Sequence, residues 1–499
     1  MSRRRDYLSF FGRRGRRKDL AFVREPGARR RWLIPALLLA AAGGFAWWWF
    51  ARPGPAEQPD TTPVGVSSVP TILYPETSTT TSAAVETVSC PAADQAVHWL
   101  TFQATSERTG CIDAPTITDP VILWKAKVGV QGWLNNPVVV EDTVYVGSAG
   151  DTQFETDTAD GVYAIDLTTG TRVWHFAASL DVNGVAVSDG VVVATGDEGL
   201  VWGIDAAEGL GLWTANLEAA VFTNPLIVED MVVVGDGSGA ITAFDLESGE
   251  RRWQVTVQGA VRGGAASDGE SIYVVSEGRD AVALDLQGNE LWRQTISGPN
   301  GENEQWQVFA APTIAGRLLV VSLIRGEDVH ADPALMALDR ATGEVAWRAQ
   351  DAAGIKSEWA NVRSSPALVG DLLVYGETYS DRLVAVGVED GLTRWSVKVG
   401  PYCYQHWSSP AVVGGQVILP RYDGGLYAVA LDTKTIAWSI YLGQQALDGE
   451  FPADFGEDFC QQQPQSGASV IASPAVADNG VVIVGTLEGY LMAVGDAGW

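Results

Sequence analysis

The stretch YAIDLTTGTRVW, at positions 163–174, returns along the chain with small changes. In each complete copy an aspartate is followed after four residues by a glycine, and the glycine after four more by a tryptophan. We call this pattern the tryptophan repeat. Complete copies contain Asp166, Gly170 and Trp174; Asp205, Gly209 and Trp213; Asp245, Gly249 and Trp253; and Asp339, Gly343 and Trp347, while weaker copies end at Trp292, Trp395 and Trp438. Repetition at this interval predicts that each copy is one structural unit.

Each part of the repeat has a physical role. The residues before the aspartate are apolar or small and alternate, as in a packed strand. The aspartate can accept hydrogen bonds from backbone amides of a turn, and the glycine supplies the left-handed conformation of a short hairpin loop. We therefore expect the tryptophan to lie on the returning strand with its ring against a neighbouring unit. Burial of that ring contributes roughly 2–3 kcal/mol.

Two further strands precede each repeat. Segments such as NPVVVEDTVYVGS and SSPALVGDLLVYG contain two apolar runs joined by a tight polar turn. One unit is therefore four antiparallel strands. The tryptophans that end the repeats, together with Trp124, follow one another at intervals of 39 to 55 residues up to Trp438, a spacing typical of propeller blades.

The two ends of the repeat region predict how the ring closes. ILWKAKVG, around Trp124, is a fourth strand that lacks the first three, and the C-terminal segment is three strands that lack a fourth. Pairing them completes one blade. The alternative, an open sandwich of hairpins, leaves both fragments with bare edges. We therefore predict an all-β, eight-bladed β-propeller over residues 118–499, with the N-terminal strand closing the last blade.

The charge of the chain is divided between two regions. Residues 1–31 carry twelve Lys or Arg and three Asp or Glu, a net charge of +9. The total is −28, so the remaining residues carry −37. A basic head and an acidic body predict two compartments, and the acidic body argues against nucleic acid as a partner because phosphates require a basic surface.

An uncharged stretch of 19 residues, 32–50, separates these regions. As a helix it would span roughly 28 Å, about the hydrocarbon thickness of a bilayer. Arginines precede it and tryptophans end it, so we predict a single-pass helix in the cell membrane, with the N-terminus cytoplasmic and the propeller extracytoplasmic. The alternative is a cleaved signal peptide, but a long basic region and no clear cleavage site favour a retained anchor.

Residues 51–117 are predicted to form a stalk. Their first half is rich in Pro, Thr and Ser and cannot bury enough apolar surface to fold. Cys403 and Cys460 lie in successive blade connections, so an oxidising compartment predicts a Cys403–Cys460 disulfide. By elimination Cys90 pairs with Cys111 and staples a small element of the stalk.

The loops of the predicted ring differ between its two faces. Turns joining first to second and third to fourth strands are tight, and we call their side the short-turn face. The opposite side, which we call the long-loop face, carries second-to-third-strand loops and blade connections. Its insertions are 151–160, 297–307, 325–334, 350–361 and 443–469. Long loops in a compact domain usually have a function, so the long-loop face is the candidate binding face.

Aromatic and polar residues precede several inner strands, where they would surround the mouth of the central channel. They are Trp306, Gln307, Trp359, Asn361, Arg363, Tyr404, His406 and Trp407. They could line a pocket for a planar or peptide-like ligand. The alternative is that the aromatic side chains only pack the inserted loops onto the rim.

Metal and catalytic motifs are weak. Asp151, Glu155, Asp157 and Asp160 could hold calcium but lack EF-hand spacing, so a solvated acidic loop is favoured and no metal site is predicted. The sequence contains no GxSxG, HExxH or P-loop motif, and no catalytic residue is assigned.

The pattern A-x-D-x-x-T-G-x-x-x-W, present at 164–174 and 337–347, resembles the pyrroloquinoline-quinone-type (PQQ-like) repeat. That repeat builds eight-bladed quinoprotein dehydrogenases and the non-enzymatic BamB-like propellers of envelope protein assembly. The resemblance implies a non-catalytic, cofactor-free scaffold that binds an envelope protein or peptide, here on a transmembrane helix in place of a lipid anchor. The alternative is a dehydrogenase of alcohols or sugars that uses pyrroloquinoline quinone and calcium, although the adjacent cysteines of several such enzymes are missing here. A sensor module is a third possibility, but 31 cytoplasmic residues are too few to fold alone.

Overall fold

The computed structural model of the chain describes residues 90, 98–132, 134–296, 306–325, 335–350, 362–377, 381–400, 408–443 and 470–498. Within these ranges the regular elements are β-strands, and none of the described residues forms a helix able to cross a membrane. The predicted basic segment, transmembrane helix and most of the predicted stalk lie outside the described residues.

The strands follow one another in groups of four. The first two are β1 (Cys111–Ile112) and β2 (Pro120–Lys127). Blade 1 contains β3 (Val138–Val140), β4 (Thr143–Ala149), β5 (Asp160–Asp166) and β6 (Arg172–Ala177). Blade 2 contains β7 (Val182–Ser188), β8 (Val191–Gly196), β9 (Leu200–Asp205) and β10 (Gly211–Asn216). Blade 3 contains β11 (Leu226–Val228), β12 (Met231–Gly235), β13 (Ala240–Asp245) and β14 (Arg251–Thr256). Blade 4 contains β15 (Ala265–Ser267), β16 (Ser271–Val275), β17 (Asp280–Asp285) and β18 (Glu290–Thr295).

The second half of the ring repeats this arrangement. Blade 5 contains β20 (Thr313–Ala315), β21 (Leu318–Ser322), β23 (Leu335–Asp339) and β24 (Val345–Arg348). Two short strands next to it, β19 (Trp306–Gln307) and β22 (Ile324–Arg325), pair with each other as a separate ribbon. Blade 6 contains β25 (Ala367–Val369), β26 (Leu372–Gly376), β27 (Arg382–Gly387) and β28 (Thr393–Lys398). Blade 7 contains β29 (Ala411–Val413), β30 (Gln416–Pro420), β31 (Gly425–Ala430) and β32 (Thr435–Tyr441). Blade 8 contains β33 (Ala475–Val476), β34 (Val482–Gly485) and β35 (Tyr490–Asp496) together with β2.

Each blade is an antiparallel sheet of four strands paired in order, and blade 7 gains β1 as a fifth strand parallel to β29. We call the first strand of a blade its inner strand and the fourth its outer strand, since the first strand lies at the channel and the fourth at the periphery of a propeller. The predicted all-β, eight-bladed fold is confirmed.

The ring closes as the sequence predicts. β2 is the outer strand of blade 8 and pairs antiparallel with β35, with Trp124 opposite Ala493. The backbone N–H groups of Thr118 and Asp119 donate to the Asp496 carboxylate at 2.7 and 2.6 Å, which fixes the start of β2. The two ends of the propeller therefore share one sheet, and neither half-blade is left with an open edge.

The tryptophans of six blades contact the glycine turn of the next blade. Trp213 Nε1 donates to Leu246 O at 2.9 Å, and the ring lies against Gly249. Gly249 has φ +70°, and a Cβ there would come within 2.5 Å of the indole. Glycine is therefore required both for its backbone conformation and for the close approach of the ring. The same donation to the next blade is made by Trp124, Trp174, Trp253, Trp292 and Trp347.

A β-bulge in every outer strand precedes the tryptophan. In blade 1, Trp174 pairs with Ala164 and Arg172 pairs with Ile165, so Val173 is left over and lies 54% exposed. A bulge re-aims the next side chain and increases the local twist. It thereby turns Trp174 towards the neighbouring blade, where apolar side chains of adjacent sheets form the core in layers.

Candidate functional site

A segment that precedes the propeller lies inside its central channel. We call residues 98–112 the plug. Trp99 exchanges two backbone hydrogen bonds with Val139 of β3, at 3.0 and 2.9 Å. The plug then meets further blades along the channel wall. Its oxygens at Leu100, Ser106, Glu107, Thr109 and Gly110 accept backbone N–H bonds from Val187, Ser267, Ile314, Leu368 and Val412, respectively. These partners lie on the inner strands of blades 2, 4, 5, 6 and 7.

Arg108 is the centre of the plug. Its side chain is fully buried, and its guanidinium donates to Ala265 O (3.0 Å), Thr101 Oγ1 (2.6 Å), Phe102 O (2.8 Å) and Pro225 O (3.3 Å). These bonds connect the plug to blades 3 and 4. Burial lowers the pKa of Arg108 to about 9. The arginine therefore satisfies carbonyl groups that a closed channel would leave without donors.

The predicted pairing of Cys90 with Cys111 is present as a disulfide. Cys111 belongs to β1 and pairs with Val412 of blade 7, so it is part of the propeller rather than of a small element of the stalk. The disulfide therefore ties the chain before the plug to the channel wall. The predicted Cys403–Cys460 pair lies outside the described residues.

Polar residues form a ring around the channel where the inner strands begin. Each of them directly precedes the proline that comes before an inner strand. Ser365 N donates to Ser409 Oγ, Ser409 N donates to Ser473 Oγ, and Ser473 N donates to Asn136 Oδ1, at 2.9, 2.9 and 2.7 Å. Asn136 Nδ2 then reaches Asn224 Oδ1 at 3.4 Å. Side chains of successive blades thus cap one another's backbone around the channel.

This polar ring and the plug enclose a well. Its lining residues come from seven blades and the plug: Phe102, Leu134, Asn136, Asn224, Gly263, Phe309, Ala310, Arg363, Ser409 and Ser473. Phe102 belongs to the plug, and the other residues precede inner strands, at the end where blade connections enter. The well therefore lies at the long-loop end of the channel, directly above the plug.

One predicted rim residue lines the well. The Arg363 guanidinium lies 5.5 Å from the centre of the Phe309 ring, within cation–π range. The backbones of Trp306 and Gln307 form β19, which pairs with β22 as a separate ribbon. Trp359, Asn361, Tyr404, His406 and Trp407 lie outside the described residues, as do the side chains of Trp306 and Gln307.

The loop 151–160 is held by its own carboxylates. Asp157 accepts the backbone N–H of Asp151 at 2.7 Å, and Asp160 accepts that of Asp157 at 2.8 Å. Asp151 and Glu155 are exposed, as expected of a solvated loop, whereas Asp160 is fully buried because it is the first residue of strand β5. Among the described residues no three His, Cys, Asp or Glu side chains are grouped so as to hold a metal ion.

Two carboxyl groups of blade 2 have raised pKa values. Burial, and then the neighbouring Asp197, raise the pKa of Asp181 to about 8. Burial raises the pKa of Asp197 to about 6, although Asn183 Nδ2 donates to it at 2.7 Å. Asp181 also accepts the backbone N–H of Phe154 at 2.9 Å, so it connects blade 2 to the loop 151–160.

Sequence reasoning missed the plug and the polar ring. Residues 98–112 follow a Thr- and Ser-rich stretch and have no repeat of their own, so they were included in the predicted stalk. Their signal was the return of large apolar residues, Trp99, Leu100 and Phe102, before Cys111. The polar ring has a clearer signal, the recurrent NP or SP dipeptide before inner strands.

An eight-bladed ring of four-stranded sheets, bound together by the tryptophan repeat, defines a PQQ-like repeat propeller. Within that class the chain belongs to the family described as outer membrane protein assembly factor BamB, whose sequence profile matches residues 158–332, 237–451 and 331–498.

Individual relatives agree with this assignment. The outer membrane protein assembly factor BamB of Burkholderia pseudomallei (strain K96243) is 26% identical over 404 residues, which cover 77% of this chain and 92% of that protein. The quinohemoprotein alcohol dehydrogenase of Comamonas testosteroni is 24% identical over 306 residues, which cover 53% of this chain and 39% of that protein.

Solved structures share the fold. The crystal structure of the Comamonas enzyme has a TM-score of 0.60 at 16% identity and covers 81% of this chain and 82% of its own. The structure of BamB from Moraxella catarrhalis has a TM-score of 0.54 at 16% identity and covers 76% and 99%, respectively. At this identity the structures establish the fold alone.

Proposed function

We propose that the chain is a non-catalytic, protein-binding propeller of the cell envelope, carried on a membrane anchor at residues 32–50, and that it binds its partner with the long-loop face. The proposal draws on relatives that are named outer membrane protein assembly factors. Their name gives the kind of role, assembly of outer membrane proteins, and the arrangement of loops in this chain supports the choice of face.

The asymmetry of the ring is the observation that carries this proposal. Turns between inner and second strands are two residues long in most blades, as between Val140 and Thr143. In contrast, the loop from Ala149 to Asp160 lies on the opposite face, where the sequence predicts the other long connections. The lining of the well lies at that same end of the channel. A rigid ring with all of its elaboration on one side is suited to docking rather than to closing over a substrate.

Photo-crosslinking of the full-length chain in its native envelope tests the face. A benzoylphenylalanine is placed at Thr152, exposed on the long-loop face, or at Glu247, exposed in a short turn. We expect protein adducts from position 152 and none from position 247. Deletion of residues 444–469 should reduce partner recovery in a pull-down. Adducts from position 247 alone, or equal adducts from both positions, would contradict the face assignment.

The similarity to a quinohemoprotein alcohol dehydrogenase favours a second function, oxidation of alcohols or sugars with pyrroloquinoline quinone and calcium. Calcium is bound by carboxylate and carbonyl oxygens. The described lining of the well contains no Asp or Glu, so it does not fit a calcium ion, and we derive no step through that group. Titration with the quinone and calcium, followed by tryptophan quenching and dye reduction, separates the two functions. Turnover would replace the scaffold by an enzyme.

A further inference from the structure

The plug contains several features that are unfavourable in a folded chain. Gln103, Ala104 and Arg108 have φ angles of 59°, 67° and 61°, in the left-handed region that residues with a side chain rarely adopt. The Arg108 guanidinium is buried without an ion pair among the described residues, and in the same part of the chain Gln103 Oε1 is buried without a hydrogen-bond donor. Backbone strain of this kind persists only where the surrounding structure enforces it, and it is common in segments that switch between states.

The C-terminal end of the plug is fixed to the propeller independently of the disulfide. β1 pairs with β29 of blade 7, and the chain then passes the short turn of that blade, where Ala114 O lies next to Gly414. Gln416 Nε2 donates to Ile117 O at 3.2 Å before the chain enters β2. This end therefore stays attached to the ring when the disulfide is broken.

The N-terminal end of the plug is held in a different way. Trp99 exchanges two backbone hydrogen bonds with blade 1, and Leu100 O accepts one from blade 2. The disulfide joins Cys90, which precedes them, to Cys111 at a sequence separation of 21, so it closes a loop that contains the plug up to Gly110. In the chain-entropy model, closing a loop of this length disfavours its unbound conformations by on the order of a hundredfold.

The two sulfur atoms of the disulfide differ in access. Cys111 is only 5% exposed, whereas Cys90 is partly exposed. The thiolate of a dithiol reductant can therefore attack Cys90 Sγ and form a mixed disulfide, and Cys111 leaves as a thiolate that takes up a proton. The second thiol of the reductant then displaces Cys90. The dithiol loses two electrons and becomes a disulfide, and both cysteines end as thiols.

We propose that the plug is a redox-sensitive insert of the channel. The Cys90–Cys111 disulfide holds residues 98–109 against the inner strands, and its reduction by a dithiol lets them leave while β1 stays paired with blade 7. Their departure exposes the backbone N–H donors that now bond to them, which belong to Val187, Ser267, Ile314 and Leu368. This device goes beyond the proposed docking function and does not depend on it.

Hydrogen exchange of the full-length chain carrying Cys403→Ser and Cys460→Ser tests the device. The chain has four cysteines, so dithiothreitol can then reduce only the Cys90–Cys111 bond. Reduction should raise the exchange rate of residues 98–109 at least tenfold, because the closed loop is opened. The inner-strand amides of Val187, Ser267, Ile314 and Leu368 should accelerate with them, and reoxidation with glutathione disulfide should restore slow exchange.

Two regions serve as internal controls in the same experiment. The amide of Val412 donates to Gly110 O beside β1 and should stay protected, because this end of the plug remains attached. The second strands of the blades, such as β12, should also keep their slow exchange, because the ring stays folded.

Cys90→Ser in the same background is the matched variant, because it keeps the Cys111 thiol of the reduced state. Its plug should exchange rapidly before any reductant is added, and dithiothreitol should change nothing further. Unaltered exchange after reduction would overturn the lock, and faster exchange of the plug without its inner-strand partners would overturn its departure. Equal acceleration of the second strands would show that the whole ring unfolds, and would overturn a separate device.

Discussion

Replacement of Arg108 tests the plug most sharply, because two substitutions have different expected outcomes. Arg108→Ala removes four hydrogen bonds and leaves a cavity in the channel. Pro225 O keeps the hydroxyl of Thr101 as a donor at 3.3 Å, but Ala265 O and Phe102 O lose their arginine donor. Each orphaned buried carbonyl costs about 1–3 kcal/mol, and the cavity adds to this.

An opposing effect reduces the net loss. Arg108 is charged and fully buried, with no ion pair among the described residues, and the fall of its pKa to about 9 corresponds to a desolvation cost on the order of 5 kcal/mol. Both substitutions relieve this cost. Arg108→Met also fills most of the volume, so the lost hydrogen bonds and the relieved charge nearly cancel. We expect Arg108→Ala to destabilise the plug by roughly 3 kcal/mol and Arg108→Met by less than half of that.

Limited proteolysis measures this locally, since the plug can open while the ring stays folded. A loss of roughly 3 kcal/mol should raise the rate of cleavage within residues 98–112 by about a hundredfold for Arg108→Ala. Arg108→Met should give a much smaller increase. Similar rates for both variants would show that the bonds rather than the volume dominate, and unaltered rates in both would refute the role assigned to Arg108.

Two other predictions concern the ring and its pH dependence. Gly249→Ala forces a Cβ against the Trp213 ring, whereas Gly190→Ala, with a similar positive φ and open space around it, carries only backbone strain. Urea denaturation should therefore show about 1–3 kcal/mol more destabilisation for Gly249→Ala than for Gly190→Ala. Equal losses of stability in the two variants would contradict the packing role of Gly249. The fold raises the pKa of Asp181 to about 8, beside Asp197 and Asp160, so the stability it contributes is complete below its unfolded pKa near 3.8 and is lost as pH rises through about 8. Asp181→Asn should therefore raise the melting temperature more at pH 9 than at pH 4, and an equal change at both would refute the linkage.

The ring could be predicted from sequence because its determinants are local and repeated. The aspartate, glycine and tryptophan of one copy fix a turn and a contact with the next blade. Six such contacts join neighbouring blades, and the one made by Trp124 closes the ring. The number of blades and their closure follow from this repetition.

The centre of the channel could not be predicted in the same way. Residues 98–112 bond to inner strands up to hundreds of positions away, as Gly110 does to Val412, and no periodicity marks such contacts. Arg363 was identified from its position before an inner strand, but its neighbours Asn224, Ser409 and Ser473 have ordinary roles in the sequence. Only the closed ring shows that these residues line one space.

Hydrogen exchange of the full-length chain tests the central claim most directly. The claim is that residues 98–112 of the chain lie inside the channel of its own propeller. Peptides covering residues 98–112 should exchange as slowly as those covering the inner strands of blades 1 to 7, and far more slowly than those covering residues 51–82. Exchange of residues 98–112 at the rate of residues 51–82 would contradict the plug.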